Sequence, residues 1–237
     1  VLVWYLATDV WHLASPMLLP SPVKVFEAFI FKLSSKRSDG ATLPQHTAAS
    51  VVLVLKGYAY GVLAGMPLGI MMGWSKWVRH FLRPLFDLLR PIPPVGWLPV
   101  VLILFGIGQE GKVFIIFFAT LMPCVLNAYS GISQTSESLL TLAQSFGAGR
   151  TKQLFFVAIP SALPQLFTGL RTALSTSWAT LVAAEMLAAQ KGLGFMIQTN
   201  RMNSNPSYII VAMLVIGVSG ALFSALLGLL ERILRRS

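Results

Sequence analysis

Acidic side chains are scarce in this sequence. Eight Asp and Glu stand against eighteen Lys and Arg in 237 residues, and charged residues of both signs total only 11%. A soluble domain carries about a quarter charged residues, so soluble enzyme folds are poor candidates. Cysteine is down to Cys124 alone, which excludes an intrachain disulfide and, inside an apolar run, reads as packing. Histidine is as thin: His12, His46 and His80 lie far apart, none has a second His, Cys or carboxylate at ligand spacing, and no metal is assigned. The stretch from Val1 to Leu6 lacks the basic flank and cleavage site of a signal peptide and reads as a first span cut short at its start.

What is there is apolar: 55% of residues are hydrophobic and the mean hydropathy is +0.73. At roughly 20 residues per span plus loops, the length suits about five or six transmembrane helices. That makes residues 1–237 a single membrane domain. A net charge of +10 fits basic loops held against anionic headgroups better than it fits nucleic acid.

Val25, Phe26, Phe29, Ile30 and Leu33 recur at helical spacing beside Lys24, Glu27 and Lys32, which predicts an amphipathic helix on the membrane surface. A polar loop, Lys36 to Gly40, follows. Ala48 to Trp74 is the first complete span, and Pro67 should kink it. Its Gly57, Gly61, Gly65, Gly69 and Gly73 recur every four residues, a ridge that admits another backbone closely, within the subunit rather than at a dimer seam. Because steps of four drift by about 40° on a straight helix, the ridge winds, which leaves it able to serve more than one neighbour. Ser75 to Arg90 holds four cations against Asp87 and reads as cytoplasmic. Val95 to Ile107 would be only about 20 Å long as a helix, against a hydrocarbon core of roughly 30 Å, so a short or broken span is expected.

Val113 to Ile132 is a full span. Gln134 to Leu163 is too polar for lipid yet periodic: Leu139, Leu142, Ala143 and Phe146 share one face, Gly147 and Gly149 stop that helix, and Thr151 starts another that ends at Pro160. The pattern is that of a helical hairpin in water. Pro164 to Ala189 and Ser207 to Leu230 are the last spans, and the basic tail through Arg235 and Arg236 should be cytoplasmic.

Gly106 to Gly111 reads GxGxxG, and Gly106 to Lys112 reads GxxxxGK. The first needs an acid about 20 positions on, but none lies between Glu110 and Glu137; the second needs Ser or Thr where Val113 stands. The stretch is therefore read as a flexible turn between spans. Glu185 is the one acid within a span, and Arg171 on the same segment lies about 21 Å away along a helix, too far to pair. Arg171 is placed at the inner headgroups and Glu185 near the outer end, snorkelling or hydrogen-bonded. Thr172, Ser175, Thr176 and Thr180 give that segment a hydroxyl stripe, which lines a polar pathway or bonds neighbouring helices. With Trp178, Glu185 and the corner Pro93, Pro94 and Trp97, the stripe forms the candidate translocation pathway.

The hairpin resembles the EAA loop of ABC importer permeases. Thr141-Leu142-Ala143 stands where that family has Glu-Ala-Ala, followed by Gly147 and Val157-Ala158-Ile159-Pro160. Thr141 offers no carboxylate for a salt link there. Arg90-Pro91-Ile92-Pro93-Pro94-Val95-Gly96-Trp97-Leu98-Pro99, Phe105-Gly106-Ile107-Gly108, and Thr180-Leu181-Val182-Ala183-Ala184-Glu185-Met186 with Gly192-Leu193-Gly194-Phe195 are similar to the branch that imports nitrate, sulfonates, taurine and related small anions, most of all to its taurine permeases.

The resemblance implies an all-α integral membrane fold of the MetI-like type I importer permeases, with about six transmembrane helices and the first one truncated. It implies a second permease subunit in a homodimer, two cytoplasmic ABC ATPase subunits that carry the ATP and magnesium, and a periplasmic or lipid-anchored substrate-binding protein. The chain itself would hold no cofactor, hydrolyse no ATP, and sit in the bacterial cytoplasmic (inner) membrane. ATPase docking would fall on Leu139, Leu142, Ala143, Ser145 and Phe146, and on Gly147, Ala148, Gly149 and Arg150. Taurine or another sulfonate is the implied substrate, with nitrate, bicarbonate, phthalate-like and vitamin-precursor permeases built alike. A secondary transporter coupled through Glu185 is the rival of another class, but it should show internal repeats, and no clear one is found.

Overall fold

The computed structural model describes residues 2–11, 15, 19–106 and 108–234. Val1, His12, Ile107, Arg235 and Arg236, singled out above, lie outside the described residues. The elements in chain order are α1 (Leu2–Tyr5) with a π-helical turn (Leu6–Val10), α2 (Pro22–Ser34), α3 (Leu43–Trp74), α4 (Lys76–Leu89), a 3-10 turn (Pro94–Trp97) leading into α5 (Leu98–Phe105), and α6 (Gln109–Ser133). Then come α7 (Glu137–Ser145), α8 (Arg150–Gln153), a second π-helical turn (Leu154–Ala158), α9 (Ile159–Ala188), α10 (Leu193–Met202) and α11 (Pro206–Leu234). Among the described residues there is no strand.

The starts are set by small polar residues. Ser21 Oγ accepts from the Lys24 amide ahead of Pro22, Thr42 and Gln45 close a capping box on α3, and Ser75 caps α4 one residue after α3 ends. α3, α6, the run from α8 through α9, and α11 are long and apolar enough to cross a membrane. A fifth crossing is broken, as expected from its prolines: α4 and the segment Pro94–Phe105 meet at 82°. α3 passes through Pro67 without interruption of the helix.

The five spaced glycines face a single helix, although their drift left room for more than one neighbour. A Cβ on Gly57 would lie 2.6 Å from Ile116, on Gly61 2.3 Å from Thr120, on Gly65 2.8 Å from Cys124, on Gly69 2.7 Å from Ala128 and on Gly73 2.6 Å from Ile132. The partners on α6 also recur every four residues and in the same direction, so the helices are parallel. Two ridges of that period stay in contact by winding around each other instead of drifting apart. α9 packs antiparallel on α6 and against α3 as well; between α6 and α9 the Thr120 and Ser177 hydroxyls bond at 2.6 Å and Gln165 Nε2 donates to Asn127 Oδ1 at 3.2 Å. Leu53, Val54, Ile115, Ile116, Trp178 and Leu181 form the core shared by this trio.

One feature of α2 was not foreseen, and one expectation for the hairpin is corrected. On α2 the buried face is Val25, Ala28 and Lys32, packed towards α10 and α11, while Phe26, Ile30 and Leu33 point outward. The second arm of the hairpin does not end at Pro160. The π-helical turn precedes Pro160, where an N–H is missing, and the chain continues helically into α9.

Candidate functional site

Candidate residues fall at the two ends of the α3–α6–α9 trio and along α9. At one end, α7 is stopped by Gly147, whose φ is +78°. Its N–H donates to the Gln144 carbonyl at 2.9 Å and the Ala148 N–H to the Ala143 carbonyl at 3.0 Å, a left-handed cap that a side chain would strain. Gly149 then opens α8. Leu139, Leu142 and Phe146 are 46%, 55% and 84% exposed, with no described helix over them. Ser145 and Thr141 turn their hydroxyls back to their own helix, onto the Thr141 and Glu137 carbonyls. Ala143 and Ala148 are half-buried, and Arg150 borders a cleft of about 320 Å³ with Glu137 and Arg79.

Along α9 the expected hydroxyl stripe divides. Thr172 and Thr176 donate to the Thr168 and Thr172 carbonyls of their own helix, at 2.9 and 2.7 Å, whereas Thr180 is buried. The hydroxyl on this helix that bonds a neighbouring one is Ser177, which the stripe omitted. Ser175 and Arg171 line a groove of about 600 Å³ between α9 and α11. Trp178 lines it too and donates its indole N–H to the Ile216 carbonyl at 3.1 Å. Arg171 pairs there with Glu231 of α11, a partner that spacing within one segment could not reveal.

Pro93 is exposed, Pro94 opens the 3-10 turn, and Trp97 packs edge-on against Phe118 at 5.7 Å. Trp97 borders the core that contains Trp178, so the corner and α9 meet through packing. Its Nε1 is buried without a hydrogen-bond partner among the described residues.

At the other end Glu185 is 1% exposed. It accepts from Ser50 Oγ at 2.7 and 2.9 Å and from the Gly194 N–H at 2.9 Å, and Ser50 Oγ accepts from the Leu193 N–H at 2.8 Å. The carboxylate is thus hydrogen-bonded between α3 and α10. Gly192 makes the turn possible, with φ +133° and Glu185 Cδ 2.3 Å from where a Cβ would stand. The Gly192 N–H donates to His46 Nδ1 at 3.1 Å, which leaves the imidazole proton on Nε2, 3.2 Å from Asp39 Oδ1.

Asp39 also pairs with the buried Lys32. Burial alone would raise the Asp39 carboxyl, but the nearby His46 Nε2–H and the hydrogen bond and charge of Lys32 hold it below its usual 3.8. Sequence reasoning missed this cluster. The available signal was a lysine and an acid flanking one short turn.

Residues 65–237 match the family described as the binding-protein-dependent transport system inner membrane component. The chain belongs to that family. It is 42% identical to the taurine transport system permease protein TauC of Escherichia coli K12 over 83% of this chain and 70% of that one. It is 34% identical to the nitrate import permease protein NrtB of a Synechocystis strain over 90% of this chain and 79% of that one. A chain of the MetNI methionine ABC transporter in an inward-facing conformation superposes with a TM-score of 0.69 at 15% identity, covering 81% of this chain and 95% of that one. The fold is therefore MetI-like, and the chain is a permease, a transport subunit.

Proposed function

We propose that this permease forms the translocation pathway of an ATP-driven importer for a small anion, with taurine or another sulfonate first. The relationship to TauC supports the sulfonate, and the nitrate permease at 34% identity is why the class is broader than one compound. Coupling to a separate ATPase is assigned to the hairpin of α7 and α8. The observation that carries this is an apolar face, Leu139, Leu142 and Phe146, exposed on a hairpin rooted directly in two spans. ATP and magnesium belong to that partner.

The hairpin end, with the C-terminal end of α11, is cytoplasmic in the bacterial inner membrane, and a substrate-binding protein docks at the opposite end. Residues 1–237 act as one domain beside a second copy of the permease. Arg171, Ser175 and Trp178 face the pathway from the α9/α11 groove, with Thr172, Thr176 and Thr180 above and below and the Pro93, Pro94 and Trp97 corner supporting it. Glu185 serves packing at the outer end, since two donors, the Ser50 hydroxyl and the Gly194 N–H, already occupy it, which favours this reading over ion coupling through that acid.

The test is affinity purification of the tagged chain from its native membranes, together with ATP-driven taurine uptake in vesicles. An ATPase should co-purify, and Gly147→Asp, which strains the left-handed cap, should uncouple uptake from ATP hydrolysis. Normal coupled uptake by that variant refutes the docking role. Recovery of the chain alone, with uptake driven by an ion gradient without ATP, refutes the importer reading.

A further inference from the structure

The end of the trio away from the hairpin carries an open-mouthed cavity of about 760 Å³ bordered by Gly108, Gln109, Lys112, Glu185, Gln190 and Lys191. Lys112 is only 8% exposed and lines it, yet among the described residues no hydrogen bond or ion pair reaches its ammonium. The stem is packed while the ammonium opens to the cavity, so a cation that the protein itself gives no hydrogen bond stands ready to donate to an anion there. Two further features have the same sign. Gly108 gives α6 no side-chain cap, so the positive end of a 25-residue helix opens here, and Lys191 stands exposed at the rim.

Glu185 opposes them, but its oxygens are taken by Ser50 and Gly194, and two cations against one carboxylate leave the cavity positive. Glu110, the acid of the first turn, lines a separate cleft with Lys56 and Tyr60. We propose that this cavity holds the oxoanion head of a small solute, with Lys112 Nζ donating to it, the α6 N-terminal amides completing the cradle and Lys191 drawing the anion in. That the solute is the transported substrate rests on the importer reading; that the site takes an oxoanion does not. A lipid phosphate offers the same chemistry.

The full chain in phosphatidylcholine nanodiscs is titrated with the sodium salts of taurine, nitrate and bicarbonate at constant ionic strength, following the shift of its unfolding temperature. Native mass spectrometry of discs containing phosphatidylglycerol reports retained lipid. The expected result is a saturable shift whose midpoint rises about tenfold in Lys112→Met, the weight of one charge-assisted hydrogen bond, and returns in Lys112→Arg. Lys24→Met, in a distant groove, should leave it unchanged.

A phosphatidylglycerol retained by the parent chain and lost from Lys112→Met supports the site and assigns the oxoanion to a headgroup. Equal midpoints in the parent and Lys112→Met, or neither a saturable anion response nor a Lys112-dependent lipid, overturns the proposal. If Lys112→Met does not elute as a single species, Lys191→Met at the rim takes its place with an expected rise of about threefold. Uptake is measured separately: lost uptake with intact binding sinks the importer reading and leaves the site standing.

Discussion

Gly61→Ala should destabilise the permease although alanine is the better helix former. A Cβ at Gly61 would stand 2.3 Å from Thr120 Cβ and 2.9 Å from the Phe117 carbonyl oxygen, where ordinary contact begins at 3.4 Å. The two helices must part there by about an ångström, and Gly57 and Gly65 one turn away are also opposed more closely than ordinary contact, at 2.6 and 2.8 Å, so the strain is not easily passed along. The same movement pulls Thr120 from Ser177, now at 2.6 Å. Overpacking costs ~1–3 kcal/mol and a lost interhelical hydrogen bond ~0.6 kcal/mol, against ~1 kcal/mol of helix propensity gained. The expected net loss is about 0.6–2.6 kcal/mol. Reversible unfolding in mixed micelles measures it. Gly217→Ala, on α11 with nothing within 4 Å of the new methyl, is the control and should be neutral or stabilising by up to ~1 kcal/mol. Gly65→Ala, with its nearest atoms at 2.8 and 3.0 Å, should fall between them. A Gly61→Ala variant as stable as Gly217→Ala would refute the close packing of α3 on α6.

Glu185→Gln puts an amide donor among groups that already donate, the Ser50 hydroxyl and the Gly194 N–H, so unfolding should come about 1–3 kcal/mol sooner while uptake per folded molecule persists. Uptake abolished at unchanged stability would make Glu185 part of the transport step instead. Asp39 faces Lys32, His46 and Asn200, and its carboxyl lies below 3.8 in the folded chain. Its pairing therefore stabilises the fold above that value and is lost as the pH falls through the depressed one. Unfolding followed downward from about pH 5 should drop more steeply in the parent chain than in Asp39→Asn, and parallel curves would refute the assignment. Phe146→Glu, at a side chain 84% exposed, should leave the unfolding midpoint within about 0.5 kcal/mol while the ATPase recovered with the chain falls. Undiminished recovery would move the docking surface elsewhere.

The glycine ridge was legible because its period is unmistakable, and so was its use inside the subunit. Its restriction to one neighbour was not, because drift is reckoned on a straight helix while coiling depends on the partner's spacing. The hairpin stop at Gly147 was legible from residue type alone. Lys32 was not, since a lysine next to a polar turn reads as solvated even though a helical wheel sets it between Val25 and Ala28. Its partner Asp39 arrives through a turn in which Ser38 and Gly40 both take positive φ, 77° and 78°. Pro160 was over-read as a terminator, because a π-helical turn ahead of it can take up the missing donor. Lys112 sat inside a phosphate-loop pattern that the chain's context excludes. Its burial depends on α3 and α9, which no local motif encodes.

The bonds within the trio bear on how a push at the hairpin would travel. α6 reaches from Lys112 to the residue where the hairpin begins its turn, and α9 leads from the hairpin back to Glu185. Between them stand Thr120 to Ser177 and Asn127 to Gln165, α3 is locked on α6 by five glycines, and Glu185 ties α9 to Ser50 of α3. α9 and α11, by contrast, leave about 600 Å³ between them and are joined across it by Arg171 with Glu231 and by Trp178 with the Ile216 carbonyl. The hypothesis is that the trio moves as one body and that the α9/α11 seam yields. Spin labels at exposed Ser133 and Leu187 should therefore keep their distance between nucleotide-free and ATP-trapped complexes, while Ser133 and exposed Leu226 should change theirs. A change across the first pair as large as across the second would place the hinge inside the trio and remove the rigid-body account.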